Sequence, residues 1–262
     1  MLSKKISLVK KFVKLSKLRV VELLLVTTIP SMIASLYSMP PLTLVLSTLV
    51  GGTLLAVSAN VMNQVFEIER DKLMQRTADR PLVTGELTKS TGIAFSIVTG
   101  IIGFVTLYLL TTPTAAYIGL IANQFYIFIY TLILKPRTNQ NIVIGGAAGA
   151  APVLIGWTST GSTLDIGAWL LFLLVFMWTP AHFWALSIEN KEDYEHADFP
   201  MLPTQESYER STIYIAIYSC ATVLISLAVA PVLQLGIVYL LISIFLGSNS
   251  VSYTHLTLPT KA

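Results

Sequence analysis

A chain of 262 residues that is 54% hydrophobic and only 12% charged, with a mean hydropathy of +0.71, is too apolar for a water-soluble globular domain of that length. It reads as a single all-α, multi-span membrane bundle, since each span takes about 20 residues and the length allows about eight or nine. The net charge of +3 is modest, and the lone Cys220 sits in an apolar run, so a disulfide framework and a cysteine-based metal site are excluded.

Residues 1–19 carry seven Lys/Arg and no acid, with Ile6, Val9, Phe12, Val13 and Leu18 roughly on one helical face. This is the pattern of a basic amphipathic segment held against the cytoplasmic membrane surface. Its basic part is too long for a cleaved signal peptide, and nucleic acid is not an expected partner beside so many spans. Apolar stretches follow at 20–37, 42–66, 91–110, 115–134, 142–158, 168–188, 212–230 and 232–247. With a cytoplasmic N-terminus, the inner segments hold seven, five, two, two and one Lys/Arg, all 17 in the chain, and the outer loops hold none. That asymmetry supports both the spans and the orientation. It opens the two longest loops, 67–90 and 189–211, on the cytoplasmic face.

The first of these loops ends a polar run that begins inside an apolar segment. On one continuing helix, Asn60, Asn63, Glu67 and Asp71 fall within an arc of roughly 80°. Two amides and two carboxylates on one face suit Mg²⁺, which binds through one or two carboxylates plus substrate phosphates. Arg76 and Arg80 follow as cations able to grip a phosphate. A solvated helix end is the competing reading, but amides two turns inside an apolar segment are costly and usually functional.

Further along, Lys135 and Arg137 lie at a membrane edge, where phosphate binding and snorkelling are equally open. The run from Gly145 to Ala151 has almost no side-chain bulk, which suits close helix packing, room for a bulky ligand, or both. The stretch 176–203 carries the second polar group. If its helix runs on past Ile188, His182, Glu189, Asp193 and His196 share a face, and Glu189 with Asp193 repeats the spacing of Glu67 with Asp71. Two facing pairs could hold cations about a diphosphate. His182, after Pro180 and beside Trp178, Phe183 and Trp184, is either a packing residue or an orienting group for a large flat substrate. His196 and Asp198 read as solvated loop residues.

Three runs, N-x-x-N-x-x-x-E-x-x-x-D with R-T-A-D-R-P-L-V-T-G, Y-T-L-I-L-K-P-R-T-x-Q-N-I-V-I-G-G-A-A-G-A, and W-T-P-A-H-F-W-A-L-S-I with D-Y and P-M-L-P, resemble the UbiA-type intramembrane prenyltransferases. Within that superfamily the likeness is to the branch that farnesylates haem, and it covers about residues 15–246. The resemblance implies a ring of nine transmembrane helices about a central cavity and a Mg²⁺-dependent prenyl transfer. Farnesyl diphosphate, haem b and water would give haem O and diphosphate, with haem b a substrate and not a cofactor. Asn60, Asn63, Glu67, Asp71 and Asp193 would be catalytic. Asn63, Glu67, Asp71, Glu189 and Asp193 would hold the metal, and Arg76, Arg80, Lys135, Arg137, His182 and Glu189 would contact substrates. Glu67 stands where many members have Asp. Membrane lipid and a haem-supplying protein or haem A synthase are the implied partners. A sister enzyme with an aromatic or glycerol-lipid acceptor, and a small-solute transporter, are the competing functions. Residues 20–248 would form the transmembrane domain. After Gly247 the sequence turns polar where the family has a ninth helix, so 249–262 are expected to be a non-native tail.

Overall fold

The computed structural model describes residues 2–256, with side chains described for 8–17 and 26–247. Among the described residues there are helices and no strands. The basic segment is helix α1 (Leu2–Ser16), followed by α2 (Leu18–Leu36), α3 (Leu42–Phe66) and a single turn, α4 (Ile68–Asp71). Then come α5 (Lys89–Leu110) and α6 (Pro113–Gln124), which continues as a π-helical stretch over Phe125–Leu134. The second half holds α7 (Asn141–Ser159), α8 (Ile166–Glu189), the short α9 (Lys191–His196) and α10 (Leu202–Gln205), then α11 (Tyr208–Val232) and α12 (Ile237–Leu256).

Six of these are long and apolar enough to cross a membrane: α3, α5, α6 with its π-helical end, α7, α8 and α11. The apolar stretches Val26–Leu36 and Ile237–Gly247 in α2 and α12 are shorter. Six of the eight expected spans lie within a helix; 20–37 ends one residue past α2, and 232–247 crosses the turn between α11 and α12 before entering α12, and the chain is an integral membrane protein. The backbone of α12 stays helical through Leu256, past the expected boundary at 249, while 257–262 lie outside the described residues.

Side-chain caps fix where several helices start. Thr88, Thr112, Asp165 and Ser207 each accept a hydrogen bond from the backbone N–H three residues on, opening α5, α6, α8 and α11. A capped N–H is one fewer donor to strand at a membrane edge. Pairing of α3 with α5 depends on missing side chains. A Cβ at Gly103 would lie 2.8 Å from both the Gly51 carbonyl oxygen and the Leu55 nitrogen, backbone atoms that cannot swing aside. Ser96 Oγ donates to the Ser58 carbonyl at 2.8 Å one face along. Small residues that let backbones approach, with a hydroxyl bonded across, are the usual adhesive between helices in lipid.

Gly103→Val is therefore expected to impose an overpacking cost of about 3 kcal/mol or more and to lower the melting temperature of the detergent-purified protein. Gly236→Ala, whose Cβ would meet nothing within 4 Å, is expected to leave it unchanged.

Candidate functional site

The helices surround a cavity of about 550 Å³, within the roughly 300–1,000 Å³ of a ligand pocket. Its polar end is the predicted cluster. Asn60, Asn63, Glu67 and Asp71 are 6%, 2%, 6% and 2% exposed and all four line the cavity. The helix loosens at Glu67 (φ −100, ψ 11), yet Glu67 N–H still donates to Asn63 and Asp71 N–H to Glu67, at 3.0 and 2.8 Å. The expected single face survives that break.

Buried carboxylates need partners, because an unpaired charge in a low-dielectric site costs several kcal/mol. Lys135 Nζ lies 2.6 Å from Glu67 Oε2, with the two side chains 14% and 6% exposed. Arg80 pairs with Asp71 through its Nη1. The π-helical stretch places Lys135. Its i→i+5 bonding appears in Lys135 N–H donating to the Tyr130 carbonyl at 2.8 Å, and the Thr131 hydroxyl spans the same interval, Oγ1 donating to the Tyr126 carbonyl at 2.8 Å. Such stretches concentrate at functional sites. Here one turns Tyr126, Tyr130 and Lys135 toward the cavity together, and Asn63 Nδ2 donates to Thr131 Oγ1 at 3.2 Å.

Two cations reach the cavity without an ion-pair partner among the described residues. Arg76 is one; its guanidinium carbon sits 5.9 Å from the Tyr194 ring centre. Lys17, which the sequence placed in the surface arm, is the other. Lys17 occupies the left-handed region (φ 48, ψ 51) between α1 and α2, so the chain folds sharply there and turns the residue inward. Helix α1 is fastened just before that fold. Gln64 Nε2 donates to the Leu15 carbonyl at 2.7 Å. Lys14 Nζ donates to the Asp79 carbonyl and Oδ2, both at 2.7 Å, and that bond holds the Asp79 carboxyl below its usual range. Burial, then repulsion from Arg80 and Lys135, pushes the Lys17 ammonium down to about 7, with Glu67 and Asp71 pulling the other way. Arg76, Arg80 and Lys135, with Lys17 as a fourth cation when protonated, thus face two carboxylates, a surplus that favours an anion.

Other predicted residues lie elsewhere. Helix α8 ends at Glu189 because Asn190 turns its amide back, Nδ2 donating to the Leu186 carbonyl at 2.7 Å. Asn190 (φ −110, ψ 25) interrupts the helix much as Glu67 does in the first cluster, but here His182, Glu189, Asp193 and His196 are not turned to the cavity. Glu189 is exposed, and neither it nor Asp193 lines the cavity. Both Asp193 oxygens accept backbone N–H groups, from Gln75 and Arg76, at 3.1 Å. The expected pair of facing carboxylate pairs is replaced by one pair in the cavity and one aspartate that ties the two cytoplasmic loops together. Arg137 Nη1 donates to the Leu132 and Ile133 carbonyls, at 2.6 and 3.2 Å. It caps its own helix and does not line the cavity. His182 is half-buried outside the lining, stacked on Trp178 at 4.4 Å and 15°, and Trp178 does face the cavity.

The glycine-rich face of α7 serves both expected purposes. A Cβ at Gly145 would collide with the Tyr130 ring, whereas one at Gly149 would meet nothing within 4 Å. Gly149 lines the cavity, so it adds room. Tyr126 and Tyr130, which sequence reasoning passed over, had a signal: two phenols four residues apart in an otherwise apolar segment. Lys17 had none.

The chain belongs to the UbiA prenyltransferase family, which it matches over residues 24–260. It is 47% identical over 246 residues to the protoheme IX farnesyltransferase of Parafrankia sp. (strain EAN1pec), covering 94% of this chain and 79% of that protein. Against the protoheme IX farnesyltransferase of Frankia alni the identity is 46% over 247 residues, covering 94% and 86%. The fold is similar to that of a UbiA homologue from Archaeoglobus fulgidus solved with DMAPP and Mg²⁺, with a TM-score of 0.76 and 18% identity over 94% of this chain and 86% of that one. A structure reported for digeranylgeranylglyceryl phosphate synthase gives a TM-score of 0.77 at 19% identity, covering 96% and 88%.

Asp193→Ala is expected to free the Gln75 and Arg76 amides. Their hydrogen-exchange rates should rise by roughly tenfold or more, with Asp193→Asn in between.

Proposed function

We propose that this chain transfers the farnesyl group of farnesyl diphosphate to a vinyl group of haem b, with addition of water, giving haem O and diphosphate. The observation that carries this reading is the two-ended cavity. Its polar end has a surplus of cations over a buried carboxylate pair, and its other end is apolar, with an open glycine face and the Trp178 ring. The similarity to proteins named protoheme IX farnesyltransferase supports the acceptor.

A divalent cation fits the polar end. Glu67 Oε1 is buried without a hydrogen-bond partner, and Asn63, donating through Nδ2, keeps its oxygen as an acceptor. Among the described residues no three His, Cys, Asp or Glu converge to hold a metal by themselves. That suits Mg²⁺, whose remaining positions go to substrate phosphate and water. Asn63, Glu67 and Asp71 would hold it, with Asn60 beside them, and when bound it would neutralise charge on the diphosphate.

Arg76, Arg80, Lys135 and Lys17 would bind the diphosphate oxygens and stabilise them as the allylic C–O bond breaks, leaving the electron pair on oxygen. The apolar walls would keep the farnesyl chain and its cation away from bulk water. A haem vinyl carbon would then bond to the farnesyl carbon, and water would add to the other vinyl carbon and release a proton. No protein nucleophile is needed. Trp178, backed by His182, would lie against the haem. With the positive-inside asymmetry, the polar end and the N-terminus face the cytoplasm of a cell membrane.

Membranes carrying the protein, given haem b, farnesyl diphosphate and Mg²⁺, are expected to yield haem heavier by one hydroxyethylfarnesyl unit, detected by mass spectrometry. Asp71→Ala should reduce that rate by about 100-fold or more; retained activity would defeat the reading. His182→Ala is expected to raise KM for haem b while leaving KM for farnesyl diphosphate near its original value.

A further inference from the structure

The second cytoplasmic loop packs one apolar side chain against Lys135, behind the charged end of the site and outside the cavity lining. Phe199 is 3% exposed, between Ala197 at 1% and Met201 at 2%. Its backbone is held on both sides. Phe199 N–H donates to the Tyr194 carbonyl at 3.0 Å, and Asn141 Nδ2, from the start of α7, donates to the Pro200 carbonyl at 3.1 Å. The residue before it, Asp198, takes a left-handed conformation (φ 51), one that Asp tolerates better than most residues. The ring so placed meets two cations. Lys135 Nζ is 4.4 Å from its centre and Arg70 Cζ is 4.6 Å away, both within cation–π range.

That Lys135 ammonium is the same one that holds Glu67 at 2.6 Å. A lysine side chain has four rotatable bonds, and one ion pair restrains its head group only along one direction. The Phe199 ring restrains it along a second. An aromatic ring also attracts the neighbouring Arg70 without adding a carboxylate that would compete for Lys135.

We propose that Phe199 is a positioning residue, whose ring, shared by Lys135 and Arg70, sets the Lys135 ammonium for the substrate diphosphate and carries the placement of the second loop into the polar site. This rests on the reading of Lys135 as a diphosphate ligand.

Replacing Phe199 by 4-fluoro-, 3,5-difluoro- and 3,4,5-trifluorophenylalanine drains the ring of negative charge while scarcely changing its shape. Affinity of the full chain in nanodiscs for the non-reactive farnesyl thiodiphosphate is expected to fall stepwise, by about tenfold at the trifluoro variant, with haem b affinity unchanged. The ligand-free melting temperature should fall along the same series, and should stay level when the series is repeated in Arg70→Met/Lys135→Met. A level melting series in the parent protein overturns the ring–cation contact. A graded melting series with level diphosphate affinity leaves Phe199 a packing residue and overturns its positioning role. If the unsubstituted protein binds no farnesyl thiodiphosphate, the diphosphate reading of the site falls, and the positioning role falls with it.

Discussion

Two carboxylates, on Glu67 and Asp71, are almost wholly buried at the edge of an apolar bundle, and their charge has to be answered by cations placed to within a few tenths of an ångström. Breaking a buried pair by removing one partner typically costs about 3–5 kcal/mol. Much of the surrounding architecture serves to deliver those partners. The π-helical stretch brings up Lys135, and Gly145 yields space for the Tyr130 ring that stretch presents. The loop after α4 returns Arg80 to Asp71, braced by Thr77 Oγ1 donating to the Asp71 carbonyl at 2.8 Å. A site whose anionic groups are already paired with cations is prepared for an incoming anion, since the same cations can turn from carboxylate to phosphate without crossing the cavity.

Much of this was legible in the chain. Segment 42–66 coincides with α3, and the lopsided distribution of Lys and Arg separates the loops that carry the site from those that do not. The cluster of Asn60, Asn63, Glu67 and Asp71 was readable because helical periodicity is local and survives a mild distortion at Glu67. What failed were inferences that crossed a break. Asn190 ends α8 with its own side chain, and an asparagine just past an apolar periodic run is itself a stop signal, so extending the helix to Asp193 passed over a mark the sequence carries. Arg137 looked equivalent to Lys135, yet two residues on a turn point differently. Lys17 was hidden most completely, because a left-handed lysine is chosen by tertiary packing and leaves no mark in a run of lysines.

The two cytoplasmic loops are therefore unequal. The first contributes side chains that face the cavity. The second contributes Tyr194 to the lining and otherwise works by attachment, with Asp193 gripping backbone N–H groups and Phe199 lying beneath two cations. Backbone contacts of this sort constrain a loop without depending on the side chain that donates, so position 75 could vary while the geometry held, whereas Met74 and Arg76 also face the cavity.

The π-helical stretch has a consequence for how this chain can vary in length. Each i→i+5 bond accommodates what an α-helix would treat as a surplus residue. Straightening the segment to ordinary α-helix at its present length would swing its downstream end by about 100° and carry Lys135 off Glu67, although every side chain of the site would still be present. Removing one residue between Phe125 and Leu134 at the same time would take up that rotation and return Lys135 to its place. The segment behaves as a phase setting, in which bonding pattern and length change only together.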